Sequence, residues 1–134
     1  MPNKHVLVVE DDDTIRRLLV EYLRQHAFTN VDGARDGVDA LHKIQHHRYR
    51  VVVLDLMMPL MSGVDFLDSL TAMTSDPSLN TIAEPPSVII VTSMTDTDVS
   101  SETLKQRSPL VKSVFRKPVD VEGLAIEVER ELRS

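Results

Sequence analysis

The sequence predicts one α/β domain built on a parallel sheet with helices on both faces. Short, uninterrupted β-branched runs recur along the chain: Val6-Leu7-Val8-Val9, Val51-Val52-Val53-Leu54 and Val88-Ile89-Ile90-Val91. Segments with helical spacing of apolar residues separate them, and the alternation runs through five rounds. Uninterrupted apolar runs of this length suit strands covered on both faces. Strands alternating with helices are parallel and joined by right-handed crossovers, so the helices form layers around the sheet.

Taken in order, Val6-Leu7-Val8-Val9 is the first strand. Residues 14–26 follow as a helix with Ile15, Leu18, Leu19, Tyr22 and Leu23 on an inward stripe, and Asp12 or Asp13 can cap it. A weaker strand is expected over 29–34, then a helix over 36–46 with Val38, Leu41 and Ile44 at helical spacing. The run from Val51 is the third strand, and 64–73 is a helix carrying Phe66, Leu67 and Leu70. Residues 75–87 form a loop, because Pro77, Pro85 and Pro86 break regular structure. The run from Val88 is the fourth strand, and 98–106 is a Ser- and Thr-rich helix. Val114-Phe115 is a short fifth strand. The helix over 120–133 turns Val121, Leu124, Ala125, Val128 and Leu132 inward.

Composition narrows the chemistry. The chain has 134 residues, a size that buries roughly two-thirds of its unfolded surface. It contains no cysteine, which excludes disulfides, thiolate metal sites and cysteine nucleophiles. No apolar run is long enough for a signal peptide or a membrane span, so a cytoplasmic protein without a membrane partner is expected. The net charge of −6 argues against direct contact with nucleic acid. That charge is unevenly placed, with four consecutive acids, Glu10-Asp11-Asp12-Asp13, directly after the first strand.

Sites in open parallel sheets form at the carboxyl edge of the strands. Glu10 and Asp11 end the first strand, Asp55 the third, Thr92 and Ser93 the fourth and Lys117 the fifth. Singly, each has an ordinary reading: helix-capping acids, a turn aspartate, a strand threonine, a surface lysine. Together they fall on one side of the sheet and can converge. Clustered carboxylates repel unless a cation or a proton intervenes. Oxygen ligands without His or Cys suit Mg²⁺, with Mn²⁺ as the alternative. A lysine and a hydroxyl facing that cation make a phosphoryl site, with Asp55 able to form an aspartyl phosphate. His42 and His46 stand four apart on one helix, but no third ligand accompanies them, and surface positions are expected.

These residues carry a resemblance to the receiver domain of two-component response regulators, the CheY-like superfamily. It covers essentially the whole chain and rests on Val6 to Asp12, on Asp55-Leu56-Met57-Met58-Pro59-Leu60-Met61-Ser62-Gly63, on Val91-Thr92-Ser93 and on Arg116-Lys117-Pro118. The resemblance implies the doubly wound (βα)5 flavodoxin-like fold with strand order 2-1-3-4-5. It implies one receiver domain over 1–134, with no output domain in the chain. Asp55 would accept a phosphoryl group from a histidine kinase or a histidine phosphotransfer protein. Glu10, Asp11, Asp55 and the Met57 backbone carbonyl would hold Mg²⁺, Glu10 through water. Lys117 would contact the phosphoryl oxygens, Lys117–Pro118 would be a cis peptide, and Thr92 would be the switch hydroxyl. Such a protein is a switch and not an enzyme; at most it phosphorylates itself slowly from small donors and slowly loses the group. Its output would be a downstream effector or a fused domain, with a phosphorylation-dependent dimer through the helix 4, strand 5, helix 5 face. Lys105, Lys112 and Arg116 lie in that region. Alternatives are a degenerate receiver used as an interaction module and, less well matched, an aspartate-nucleophile phosphatase. The phosphatase needs a second aspartate two residues after the nucleophile, where this chain has Met57.

The chain also departs from the receiver pattern. Val114 occupies the aromatic switch position three residues before Lys117, with Phe115 beside it. Ser108-Pro109-Leu110-Val111-Lys112 replaces the small pair before the fifth strand, and 80–86 reads as an insertion. Met57 and Met94, two residues after Asp55 and Thr92, cannot orient an attacking water, so slow loss of phosphate is expected. On the first helix, Val20 lies opposite the inward stripe, flanked by Arg16, Arg17 and Arg24. It is expected to be exposed, either as a docking point for a kinase or phosphotransfer helix or as a stray valine on a solvated face.

Overall fold

The computed structural model describes residues 5–27, 30–58, 61–75, 85–93 and 100–133. Five strands, β1 (Val6–Val9), β2 (Val31–Ala34), β3 (Val51–Asp55), β4 (Ser87–Thr92) and β5 (Val111–Arg116), alternate with five helices. The helices are α1 (Asp13–Ala27), α2 (Gly37–His46), α3 (Gly63–Ser75), α4 (Ser101–Arg107) and α5 (Val121–Arg133). The strands form one parallel sheet in the order β2-β1-β3-β4-β5. This is the flavodoxin-like arrangement that the resemblance implied. The expected 80–86 insertion lies almost wholly outside the described residues, as do Thr29, Pro59, Leu60, Met94 and the expected start of the fourth helix at Asp98.

Strand alternation divides the core into two layers. Leu7, Val9, Val52, Leu54, Val88 and Ile90 point to one face, where α2, α3 and α4 supply Ala40, Ile44, Phe66, Leu67, Leu70 and Leu104. Val6, Val8, Val51, Val53, Ile89 and Val91 point to the other, against Leu19, Val20 and Leu23 of α1 and Leu124, Ala125, Val128 and Leu132 of α5. Between their end residues the central strands are apolar throughout, because each side chain there meets a helix layer. Caps match the local chemistry. Asp12 Oδ1 accepts the Ile15 N–H at 2.9 Å, Asp36 Oδ1 the Asp39 N–H at 2.8 Å and Ser100 Oγ the Thr103 N–H at 3.1 Å.

Several inward assignments are corrected. Val20 is 9% exposed and belongs to the core, whereas Leu18 is 65% exposed and Ile15 also faces solvent. The reason is that α1 packs against α5 as well as against the sheet. Its buried face is therefore turned toward Leu19, Val20 and Leu23. The idea of Val20 as an exposed docking point falls with it. Val38 on α2 and Val121 at the start of α5 also face solvent. The fifth strand begins three residues earlier than expected, at Val111, and its pairing with β4 contains a register shift that leaves Lys112 without a partner opposite.

We expect Val20→Glu to cost on the order of 3 kcal/mol in denaturant unfolding, because it places a charge in a packed layer. Leu18→Glu, on the same helix, should change stability by no more than about 0.5 kcal/mol.

A candidate cation site at the carboxyl edge of the sheet

The strand order places β3 at the centre of the sheet, between β1 and β4. Register brings their ends level: Val9 pairs with Leu54, and Asp55 with Val91, one residue before Thr92. Glu10 and Asp11 therefore leave the sheet beside Asp55. One carboxylate oxygen from each of Glu10, Asp11 and Asp55 lies within 4.8 Å of the others. Glu10 and Asp55 are buried, while Asp11 is exposed. Like charges about 4 Å apart repel by on the order of 4 kcal/mol per pair at an effective dielectric near 20, so this arrangement needs a counterion.

Lys117 supplies one from the far side of the sheet. Its N–H donates to the Thr92 carbonyl at 2.9 Å, which anchors the end of β5 to the end of β4. Its Nζ then lies 2.8 Å from Glu10 Oε1 and 3.4 Å from Asp55 Oδ2. The shorter pairing makes Glu10 the main partner and leaves Asp55 more loosely held. Burial alone would lower the Lys117 pKa, but the Glu10 and Asp55 carboxylates outweigh it and hold it above the ordinary lysine value. The lysine is thus charged throughout the neutral range. The Lys117–Pro118 peptide is cis.

The loops are fixed by backbone contacts. Asp55 Oδ1 accepts the Met57 N–H at 3.1 Å. Glu10 Oε2 accepts the Asp12 N–H at 3.2 Å, and the Glu10 N–H donates to the Ala34 carbonyl at 3.0 Å. Gly63 closes the loop after β3, its N–H donating to the Leu56 carbonyl at 3.0 Å. A Cβ there would collide with the Asp55 carbonyl and lie 2.5 Å from Leu56 Cα, so only glycine allows this return of the chain beneath Asp55. Met57 is 54% exposed, and the Ser93 hydroxyl donates to its sulfur at 3.3 Å. Thr92 is fully buried at the end of β4.

The structure thus brings together Glu10, Asp11, Asp55 and Lys117, and ties Thr92 to Lys117 and Met57 to Asp55 through backbone N–H donors. The expected surface location of His42 and His46 is observed; their rings lie side by side on α2, centroids 4.6 Å apart and tilted by 53°. Val114 lies among the residues packed against the α2–α4 layer, while Phe115 packs on the opposite, α1–α5 layer. Sequence reasoning did not single out the roles of Gly63, Arg16 or Gly33. A glycine inside a predicted strand was the available signal for the last of these.

The donor set fits a hard divalent cation: all three side chains offer carboxylate oxygen, and none offers nitrogen or sulfur. Partial burial, then the hydrogen bond and charge of Glu10, raise the Asp11 pKa above its ordinary value. A carboxyl with a raised pKa stabilises the fold while protonated, and that contribution is lost as the pH rises through the raised value. A bound cation takes over the role of the proton. We expect Mg²⁺ to raise the unfolding temperature near pH 7.5 and to do so much less near pH 4, where protons compete with the cation for the carboxylates. Equal shifts at both pH values would contradict this reading.

The response regulator receiver domain family matches residues 6–129. The chain is 33% identical over 131 residues to protein-glutamate methylesterase/protein-glutamine glutaminase 4 of Myxococcus xanthus, covering 96% of this chain and 34% of that protein. It is 30% identical to response regulator ArlR of Staphylococcus aureus, over 96% of this chain and 52% of that one. The chain therefore spans between a third and about half the length of these curated relatives. Among solved structures, the receiver domain of Francisella response regulator 1452 superposes with a TM-score of 0.79 at 29% identity, covering 98% of both chains. No helix among the described residues is long and apolar enough to cross a membrane. The family match over nearly the whole chain and the acidic site tied to Lys117 lead to one conclusion: the chain belongs to the response regulator receiver domain family.

Proposed function

We propose that Asp55 accepts a phosphoryl group from the phosphohistidine of a histidine kinase or histidine phosphotransfer protein, and that residues 1–134 act as one receiver unit. Receivers are phosphoacceptor switches and not classical enzymes. The observation that carries this reading is the convergence of three carboxylates with Lys117 at one sheet edge. In the transfer, the P–N bond of the donor breaks with its electron pair left on the imidazole, and a P–O bond forms to an Asp55 oxygen. Mg²⁺ bound by Glu10, Asp11, Asp55 and the Met57 carbonyl would neutralise charge on the transferring group, Glu10 acting through water. Lys117, loosely paired with Asp55, would contact the phosphoryl oxygens. Thr92 would supply the switch hydroxyl. The relatives' wider activities belong to proteins longer than this chain. The effector, or fused output domain, that reads the switch is part of the same proposal, as are a cytoplasmic setting and a dimer through α4, β5 and α5.

Incubation with Mg²⁺ and a small acyl phosphate should add one phosphoryl mass. Asp55→Asn should abolish that addition without loss of fold by circular dichroism. No mass change in the wild type would favour a degenerate receiver.

The lifetime of the phosphoryl group follows from Met57, whose apolar side chain, two residues after Asp55, cannot align water. In Mg²⁺, the isolated phosphoprotein should decay slowly by mass spectrometry, and Met57→Asn should shorten its lifetime several-fold.

A further inference from the structure

We propose that Arg16 is a positioning residue for the acidic site, and that Gly33 is glycine because the Arg16 side chain passes over it. The proposal rests on the cation-dependent acceptor reading above. It adds a residue that touches neither cation nor phosphoryl group but sets the backbone carrying two of the three carboxylates.

Arg16 Nη1 donates to the Glu10 backbone carbonyl at 2.9 Å, and Nη2 pairs with Asp13 Oδ1 at 2.5 Å. The two arms of one guanidinium thus bracket the segment from Glu10 to Asp13, with Asp11 between them. An ordinary helix-surface ion pair does not look like this. The Asp13 side chain is 77% exposed, but that of Arg16 is only 21% exposed, and its bond to Glu10 is the more sheltered of the two. Exposed pairs of Arg and Asp contribute little by themselves, whereas a fixed bidentate fork imposes geometry.

The Arg16 stem must cross the end of the sheet to reach Glu10, and β2 makes room. Gly33 pairs with Val8, whose side chain faces the α1–α5 layer. A Cβ on Gly33 would lie 3.0 Å from Arg16 Cδ and 3.2 Å from Cγ. Glycine weakens a strand and often marks close approach of another segment, and here the approaching group is identified. The Glu10 N–H is bound to the Ala34 carbonyl, one residue beyond Gly33. Arg16 and β2 therefore hold the same residue through the two peptides that flank it, Arg16 at its carbonyl and β2 at its N–H, and Asp12 and Lys117 hold the Glu10 carboxylate. Asp11 has its neighbours pinned on both sides, which prepares its carboxylate for a cation instead of leaving it to swing away from Asp55. Supporting groups of this kind commonly change metal affinity by 10- to 100-fold.

The test measures the Mg²⁺ dissociation constant by NMR titration of the full chain in Arg16→Met, Gly33→Ala and the double variant, with circular dichroism as the check on folding. Arg16→Met should weaken Mg²⁺ binding by roughly tenfold with the secondary structure retained. Gly33→Ala should weaken it in the wild-type background by crowding the arginine, and should add nothing further once Arg16 is methionine. Arg16→Lys should recover only part of the affinity, because one ammonium cannot span Glu10 and Asp13 as a fork does. Unaltered Mg²⁺ affinity in Arg16→Met would overturn the proposal. So would a Gly33→Ala effect that persists undiminished in the double variant. If Arg16→Met fails to fold, Gly33→Ala decides alone: wild-type affinity refutes the proposal and weakened affinity supports it. A wild-type protein that binds no Mg²⁺ would instead refute the acceptor reading on which the proposal rests.

Discussion

Mutual repulsion among Glu10, Asp11 and Asp55 is the constraint around which this domain is arranged. Two of the three carboxylates are buried, so water cannot screen them as it would on an open surface. Each surrounding feature lowers that cost or holds the charges in place against it. Lys117 brings a cation from β5 to Glu10, 107 residues away in sequence. Backbone N–H groups of Asp12 and Met57 each face a carboxylate oxygen, and Gly63 lets the chain fold back tightly beneath Asp55. A fold relieved of this repulsion would lose its reason to favour a bound cation. The compensation is incomplete: Lys117 lies closer to Glu10, and Asp55 remains the less tightly paired carboxylate.

The fold was largely legible because its central strands leave little ambiguity. An unbroken run such as Val51-Val52-Val53-Leu54 must be covered on both faces, and the helical segments between such runs provide the cover. The site residues were legible for a related reason. A polar residue directly after a buried run marks the carboxyl edge of the sheet, and parallel strands put all those edges on one side. The strand order itself came from the family resemblance, since spacing alone does not order parallel strands.

What could not be read depends on neighbours distant in sequence. The buried face of α1 is ambiguous in the sequence because its apolar residues spread over more than half of the helix circumference. The choice between Leu18 and Val20 is made by α5, more than a hundred residues away. The pairing of Lys117 with Glu10 in preference to Asp55 is set by reach across the sheet and not by any motif. Arg16 reads as one of several helix arginines until its contact with the Glu10 carbonyl is seen. Gly33 reads as a weak point in a weak strand until the arginine stem is placed above it.

The shift in β5 at Lys112 has a consequence for how this domain tolerates change. Val88 is level with Val111, but Ile89 is level with Ser113, so β5 contains one residue more than β4 over the same rise. That extra residue brings Arg116 level with Thr92 and delivers Lys117 at the next step, within reach of Glu10. It also sets the sidedness of everything after it, sending Val114 to the α2–α4 layer and Phe115 to the α1–α5 layer. Flattening the bulge with Lys112 kept in the ladder would carry Lys117 one step past the pocket and exchange the faces of Val114 and Phe115 together, whereas deleting Lys112 would leave both in place. Chemistry and sidedness are thus locked to a single insertion. Substitutions in β5 can tune one without the other, but a change in its register against β4 must alter both at once.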